Sequence, residues 1–150
     1  MKPCLQGAQV LVFFALVLPM VLFPLAAYAI DAAASTSAFA KLEEVTVRSA
    51  EEAAQQVDVA RLRSGGGIDV NVAGAIAAAR QVLAESLPGA TVDSVWVLGT
   101  TVTVRTRMTV SLPMPLIGPP TVTIHVTASA RLALGYDSPS SLLPLARSTF

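Results

Sequence analysis

The distribution of apolar positions divides the chain into three regimes. The first is the stretch "GAQVLVFFALVLPMVLFPLAAYAID", Gly7 to Asp31, which carries no charge until its last residue. Within it, residues 10–30 predict one helix of roughly 31 Å, the thickness of a bilayer's hydrocarbon core. Its Leu, Ile, Val and Phe residues favour insertion by roughly 4–8 kcal/mol. Pro19 and Pro24 reduce that figure, but a lipid-embedded helix tolerates them. The expectation is a membrane anchor over 10–30 preceded by a short cytoplasmic N-terminus, residues 1–9. The competing reading is a signal peptide cut after Ala29, since Ala27-Tyr28-Ala29 fits a small-x-small site. That cut would release a small secreted α+β binding domain. Against it, the apolar core is long for a signal and the n-region holds Lys2 alone. Lys and Arg near the two ends of the span leave its orientation open.

The second regime has helical spacing. Leu42, Ala50, Ala53, Val57 and Ala60 recur near three-and-four intervals, which predicts a juxtamembrane helical segment over 31–64. "SAEE" at Ser49–Glu52 matches a capping box, so a restart there is expected after the strand-like Val45-Thr46-Val47. Gly65-Gly66-Gly67 reads as a flexible joint in a 65–70 linker. It lacks the Lys-Ser/Thr and preceding strand of a phosphate-binding loop. A second helix is expected from the cap Asn71 to Leu87, with Val72, Ile76, Ala79, Leu83 and Leu87 as its apolar stripe.

The third regime alternates with period two. "TVTVRTRMTVSL" places Val102, Val104, Met108, Val110 and Leu112 on one face, and Thr101, Thr103, Arg105, Arg107, Thr109 and Ser111 on the other. "TVTIHVTASARLAL" repeats the pattern, and the proline-rich "PMPLIGPP" between them cannot continue a ladder. "DSVWVL" reads as a shorter strand joined through Gly99-Thr100 as a two-residue type II′ turn. That turn sets Val97 opposite Val102 and Val95 opposite Val104. The expected fold is α+β: an N-terminal transmembrane helix, then helical segments packed on a three-stranded antiparallel sheet. The extracytoplasmic domain is placed at 71–135 and a flexible tail at 136–150.

Charge and chemistry narrow the function. Ten basic and ten acidic side chains cancel, which removes the electrostatic case for nucleic acid. Cys4 is the single cysteine and His125 the single histidine, so neither a disulfide nor a zinc set can be assembled. Glu43-Glu44 and Glu51-Glu52 are helix neighbours whose side chains diverge. No nucleophile elbow or triad pattern appears. The expectation is a protein that is not an enzyme and holds no cofactor or metal. Trp96, Arg105 and Arg107 fall on the less apolar sheet face, where Trp96 lies diagonal to Arg105 and a cation–π contact is available. This is the candidate partner face.

The segment Phe14-Ala15-Leu16-Val17-Leu18-Pro19, followed by Asp31, resembles the opening of bacterial TadE/TadG-like proteins of tight-adherence (Flp) pilus assembly. "VTVRTRMTVSLPMPLIGPPTVTIHVTASA" is similar to that family's C-terminal strands. The resemblance implies a single-pass protein of the cell membrane with its N-terminus inside and its α+β domain outside the cytoplasm. Its partners would be the bilayer and other pilus or secretion components, with Phe13, Phe14 and Pro19 as helix contacts in lipid. Pilin-like members carry a Glu where this chain has Phe13, and Ala8 stands where the processed Gly would be, one residue after Gly7. Gly7, Ala8 and Ala29 are thus the candidate processing residues. The departure places the chain nearer the members that stay membrane-bound as accessory proteins.

Overall fold

The computed structural model describes residues 4–116 and 118–132. The tail expected at 136–150 and the last residues of the 71–135 domain lie outside the described residues. The fold is α+β. Helix α1 (Cys4–Ala54) runs unbroken for 51 residues, Pro19 and Pro24 included. At 1.5 Å per residue it is a rod of roughly 77 Å. A short helix α2 (Val59–Arg63) and helix α3 (Val72–Ser86) follow. Strands β1 (Ala90–Leu98), β2 (Thr101–Ser111) and β3 (Thr121–Arg131) then form an antiparallel meander in the order β1-β2-β3. Helices α1 and α3 cover one face of the sheet, α1 across β2 and β3 and α3 over β1.

The two halves of α1 meet different surroundings. From Val10 to Ile30 the large apolar side chains are bare; Leu16 is 70% and Met20 79% exposed. After Asp31 a stripe turns inward at Leu42, Thr46, Ser49, Ala50, Ala53 and Ala54, each nearly or fully buried. Most of these residues are small, so the helix axis lies close to the sheet. The core joins Ala50, Ala53 and Ala54 to Ala75 and Ala79 of α3 and to Val102 and Val104 of β2, with Val70 and Leu132 closing its edges. Helix α3 begins at Asn71, as expected, its side chain accepting from the Gly74 N–H at 2.9 Å. Its buried stripe is Ala75, Ala79 and Leu83; Val72, expected in that stripe, is 53% exposed.

Three expectations are corrected. Val45-Thr46-Val47 is helical, and the helix does not restart at Ser49. The Ser49 hydroxyl donates to the Val45 carbonyl at 2.7 Å in mid-helix, so no capping box forms. β-Branched residues cost a helix only a few tenths of a kcal/mol each, which burial of Thr46 and Ser49 against the sheet overrides. Second, helix does not continue to the glycines. It ends at Ala54, after which Val57 forms an isolated antiparallel bridge with Val70. Asp58 then caps the separate α2 by accepting from the Arg61 N–H at 3.0 Å. Ala60, placed in the apolar stripe, is exposed because α2 buries none of its residues. Third, the glycines close a tied turn. Gly65 and Gly67 take positive φ (76° and 89°), the Gly66 N–H donates to the Arg61 carbonyl, and Arg61 pairs with Asp69 at 2.7 Å.

The hairpin registers agree with the alternation. Val97 faces Val102 and Val95 faces Val104. Gly99 has φ 60° while Thr100 stays at negative φ, which suits a type II′ turn rather than I′. One inward position of β2 is polar. Thr106 is fully buried, and its hydroxyl lies 2.6 Å from that of the equally buried Thr46. Thr46 spends its own hydrogen on the Leu42 carbonyl at 2.6 Å, so Thr106 is the donor across the layer. Thr46→Val leaves that donor without a partner and is expected to cost about 1–3 kcal/mol, whereas Thr106→Val costs about 0.5–1 kcal/mol. The double variant removes both polar groups and should be more stable than Thr46→Val alone, read by chemical denaturation of the full chain in detergent micelles. Simple additivity of the two losses would refute this assignment.

Candidate functional site

Among the described residues no helix covers the second face of the sheet, and its side chains come from the outward positions of the three strands. Cross-strand hydroxyl pairs line β2 and β3: Thr103 with Ser129 at 2.8 Å and Thr109 with Thr123 at 3.4 Å. Between them Arg107 sits opposite His125 in register. Its Nε–H donates to Thr91 Oγ1 at 3.2 Å and lies 3.0 Å from Asp93 Oδ1 in an ion pair, and His125 Nδ1 lies 3.4 Å from Asp93 Oδ2. One carboxylate therefore bridges the guanidinium and the imidazole across three strands. Trp96 (52% exposed) and Leu98 (84% exposed) extend the face toward the Gly99 turn.

The device that builds this cluster is a β-bulge. Val92 pairs with Thr106 and Ser94 with Arg105, leaving Asp93 as the extra residue of β1. The bulge changes the parity of the strand. Val92 points inward on one side of it and Val95 and Val97 on the other, while Thr91, Asp93, Trp96 and Leu98 face out. The expected partner-face residues Trp96, Arg105 and Arg107 are brought together on the outer face. Arg107 is held by Asp93 rather than left open, and among the described residues no cation lies over the Trp96 ring. Asp93 was the residue missed. Its signal was the successive polar pair Asp93-Ser94, which interrupts the apolar alternation between Val92 and Val95.

A second concavity lies between the α2 loop and the Gly99 turn, lined by Asp58, Arg61, Asp69, Asn71 and Val97 among others. Its polar groups are engaged in structure. Asp58 and Asn71 cap helices, and Arg61 and Asp69 pair with each other. Among the described residues no three His, Cys, Asp or Glu side chains gather as a metal set.

The remaining sequence-stressed residues lie on α1. Phe13 and Phe14 are 61% and 60% exposed and stack edge to face, with ring centroids 6.2 Å apart; Pro19 is exposed on the same bare half. Gly7, Ala8 and Ala29 all fall within the continuous helix. By length and composition α1 is able to cross a membrane. Ala27, by contrast, is only 2% exposed and shares a small crevice with Met114 and Leu116 of the β2–β3 loop. No protein-family model, no curated protein and no solved structure matches this chain.

The bulge makes a prediction about the outer face. Asp93→Ala removes a half-exposed ion pair and is expected to cost about 1 kcal/mol or less. Deleting Asp93 removes the extra residue as well, leaving Val92, Ser94 and Val95 in plain alternation opposite Thr106, Arg105 and Val104, so Val92 stays inward and the loss is expected to match that of Asp93→Ala. Thermal unfolding of both variants checks this; a deletion that costs about 1–2 kcal/mol more than Asp93→Ala, as lost burial of Val92 would, means that Asp93 is not the extra residue of β1.

Proposed function

We propose that this chain is a non-catalytic, single-pass membrane scaffold of the TadE/TadG-like kind, serving in assembly of a tight-adherence pilus with its α+β domain outside the cytoplasm. The observation that carries the reading is the undivided α1, bare and apolar over its first half and built into the sheet over its second. A bare apolar half of that length is expensive in water and stable in lipid. With no joint between the halves, the anchor and the domain would move as one body. The polar groups of the concavity beside the Gly99 turn are committed to caps and an ion pair, which favours a positioning role over chemistry there. The outer sheet face, with Trp96, Arg105 and the bridged Arg107, is the docking surface this reading assigns to a neighbouring assembly component.

Two measurements in the native host test the proposal. Carbonate-washed membranes should retain the protein, and sequencing of its mature N-terminus should find the Phe13-Phe14 segment still attached. A soluble product beginning at Ile30 would overturn the anchor and leave the released binding domain. In a strain retaining the anchored protein, R105E/R107E should leave its abundance unchanged and sharply reduce surface pili, whereas undiminished piliation would remove the sheet face from the mechanism.

A further inference from the structure

The loop between β2 and β3 has a position and a composition that the scaffold role does not use. Its nine residues, 112–120, carry no charge and include four prolines. It folds back onto α1 at the end of the apolar span, where the Met114 N–H donates to Asp31 Oδ1 at 2.9 Å. Met114 and Leu116 share their crevice with Pro24, Ala27, Tyr28 and Asp31. Leu116 stays 51% exposed, Met114 37%, Leu25 59% and Tyr28 74%. The apolar surface of the helix therefore continues onto the hairpin tip.

We propose that this tip is a second membrane-contacting element, lying in the headgroup and upper acyl region of the bilayer beside the α1 span. The inference rests on α1 being a membrane span. Pro24 lies about 10 Å along the helix axis from Asp31, so a loop bonded to Asp31 and sharing a crevice with Pro24 reaches the depth at which interfacial segments sit, about 5–10 Å below the surface. Backbone chemistry favours the same place. Irregular chain is costly in lipid because its N–H groups find no acceptor. Here Pro113, Pro115, Pro119 and Pro120 have no N–H. The N–H groups of Leu112, Met114 and Leu116 donate to the Pro120 carbonyl, Asp31 and the Met114 carbonyl. Asp31, the first charge after the span, is anchored by the Met114 N–H at the boundary. Tyr28 beside it has the amphipathic ring that such boundaries favour. The absence of charge on the tip commits it to lipid in general rather than to an anionic headgroup.

The test uses the full chain in phosphatidylcholine vesicles, with Cys4→Ser so that a single introduced cysteine carries an environment-sensitive fluorophore. Leu116→Cys is the reporting position, Thr127→Cys on the outer sheet face the aqueous reference, and Phe14→Cys the reference for the span. The expected result is a blue-shifted Leu116 emission, quenched more strongly by shallow than by deep spin-labelled lipids. Phe14 should be quenched most by the deep label and Thr127 by neither. A Leu116 probe as water-exposed as Thr127, with Phe14 still quenched, overturns the hairpin proposal and leaves the span intact. Blue-shifted but unquenched Leu116 emission means that protein covers the tip, and overturns it equally. Loss of quenching at Phe14 itself means that the reading of α1 has failed instead.

Discussion

The close seating of the second half of α1 on the sheet is the constraint on which the rest of the structure depends. Ala50, Ala53 and Ala54 are fully or almost fully buried against Val102, Val104 and the alanines of α3. Side chains this small contribute little area each, and their value lies in letting the backbones approach until dispersion contacts are dense. Two polar ties fix where along the sheet the rod lies: Thr46 to Thr106, and Asp31 to Met114. From residue 31 to 46 a helix advances about 22 Å, and from residue 106 to 114 an extended chain spans about 26 Å. The two lengths nearly match, so helix and hairpin run side by side in opposite directions with both ties satisfied. Larger residues along the stripe would lift the rod and break both.

That seating also decides what the other face of the sheet presents. Because α1 and α3 occupy one face, the alternation of each strand sends its Arg and His residues, and its Thr residues other than Thr106, to the opposite side. The bulge at Asp93 keeps β1 in step by switching parity once. Without it, Val92 and Val95 would face opposite ways and the strand would offer either a polar core or an apolar surface. The same extra residue delivers the carboxylate that joins Arg107 to His125. A packing device and the charge pattern of the exposed face thus have one origin.

Much of this was legible because the signals were periodic. The uncharged run over residues 10–30, the strict alternation in β2 and β3, the Gly99-Thr100 turn and the Asn71 cap each follow from local chemistry, and each lies where the sequence pattern puts it. The errors fall where tertiary contact outweighs propensity. Val45-Thr46-Val47 has strand-like composition, but the hydroxyls of Thr46 and Ser49 bond back to carbonyls four residues earlier, and both side chains are buried. The break after Ala54 has no proline or glycine to announce it; it depends on the bridge between Val57 and Val70, a pairing across thirteen residues. Of the candidate face, Trp96, Arg105 and Arg107 could be placed from register alone. Asp93 could not, because a bulge shows only as an irregularity in the alternation. The Asp31–Met114 tie was out of reach for a stronger reason: it joins residues 83 apart in the chain.

The continuity of α1 sets the mechanical character of the molecule. A flexible linker after an anchor lets a domain sample many orientations, and a partner must then select one at an entropic cost. Here residues 31–54 are helical and packed, so the orientation of the sheet about the rod axis is fixed before any partner arrives. The prolines, the usual sites of helix bending, are confined to the bare half at positions 19 and 24. Any bend they permit would therefore occur in the apolar segment, tilting domain and outer face together. The exposed sheet face is therefore held at a set angle to the apolar half of α1, and under the proposed scaffold role that angle would count as much as the side chains displayed on the face.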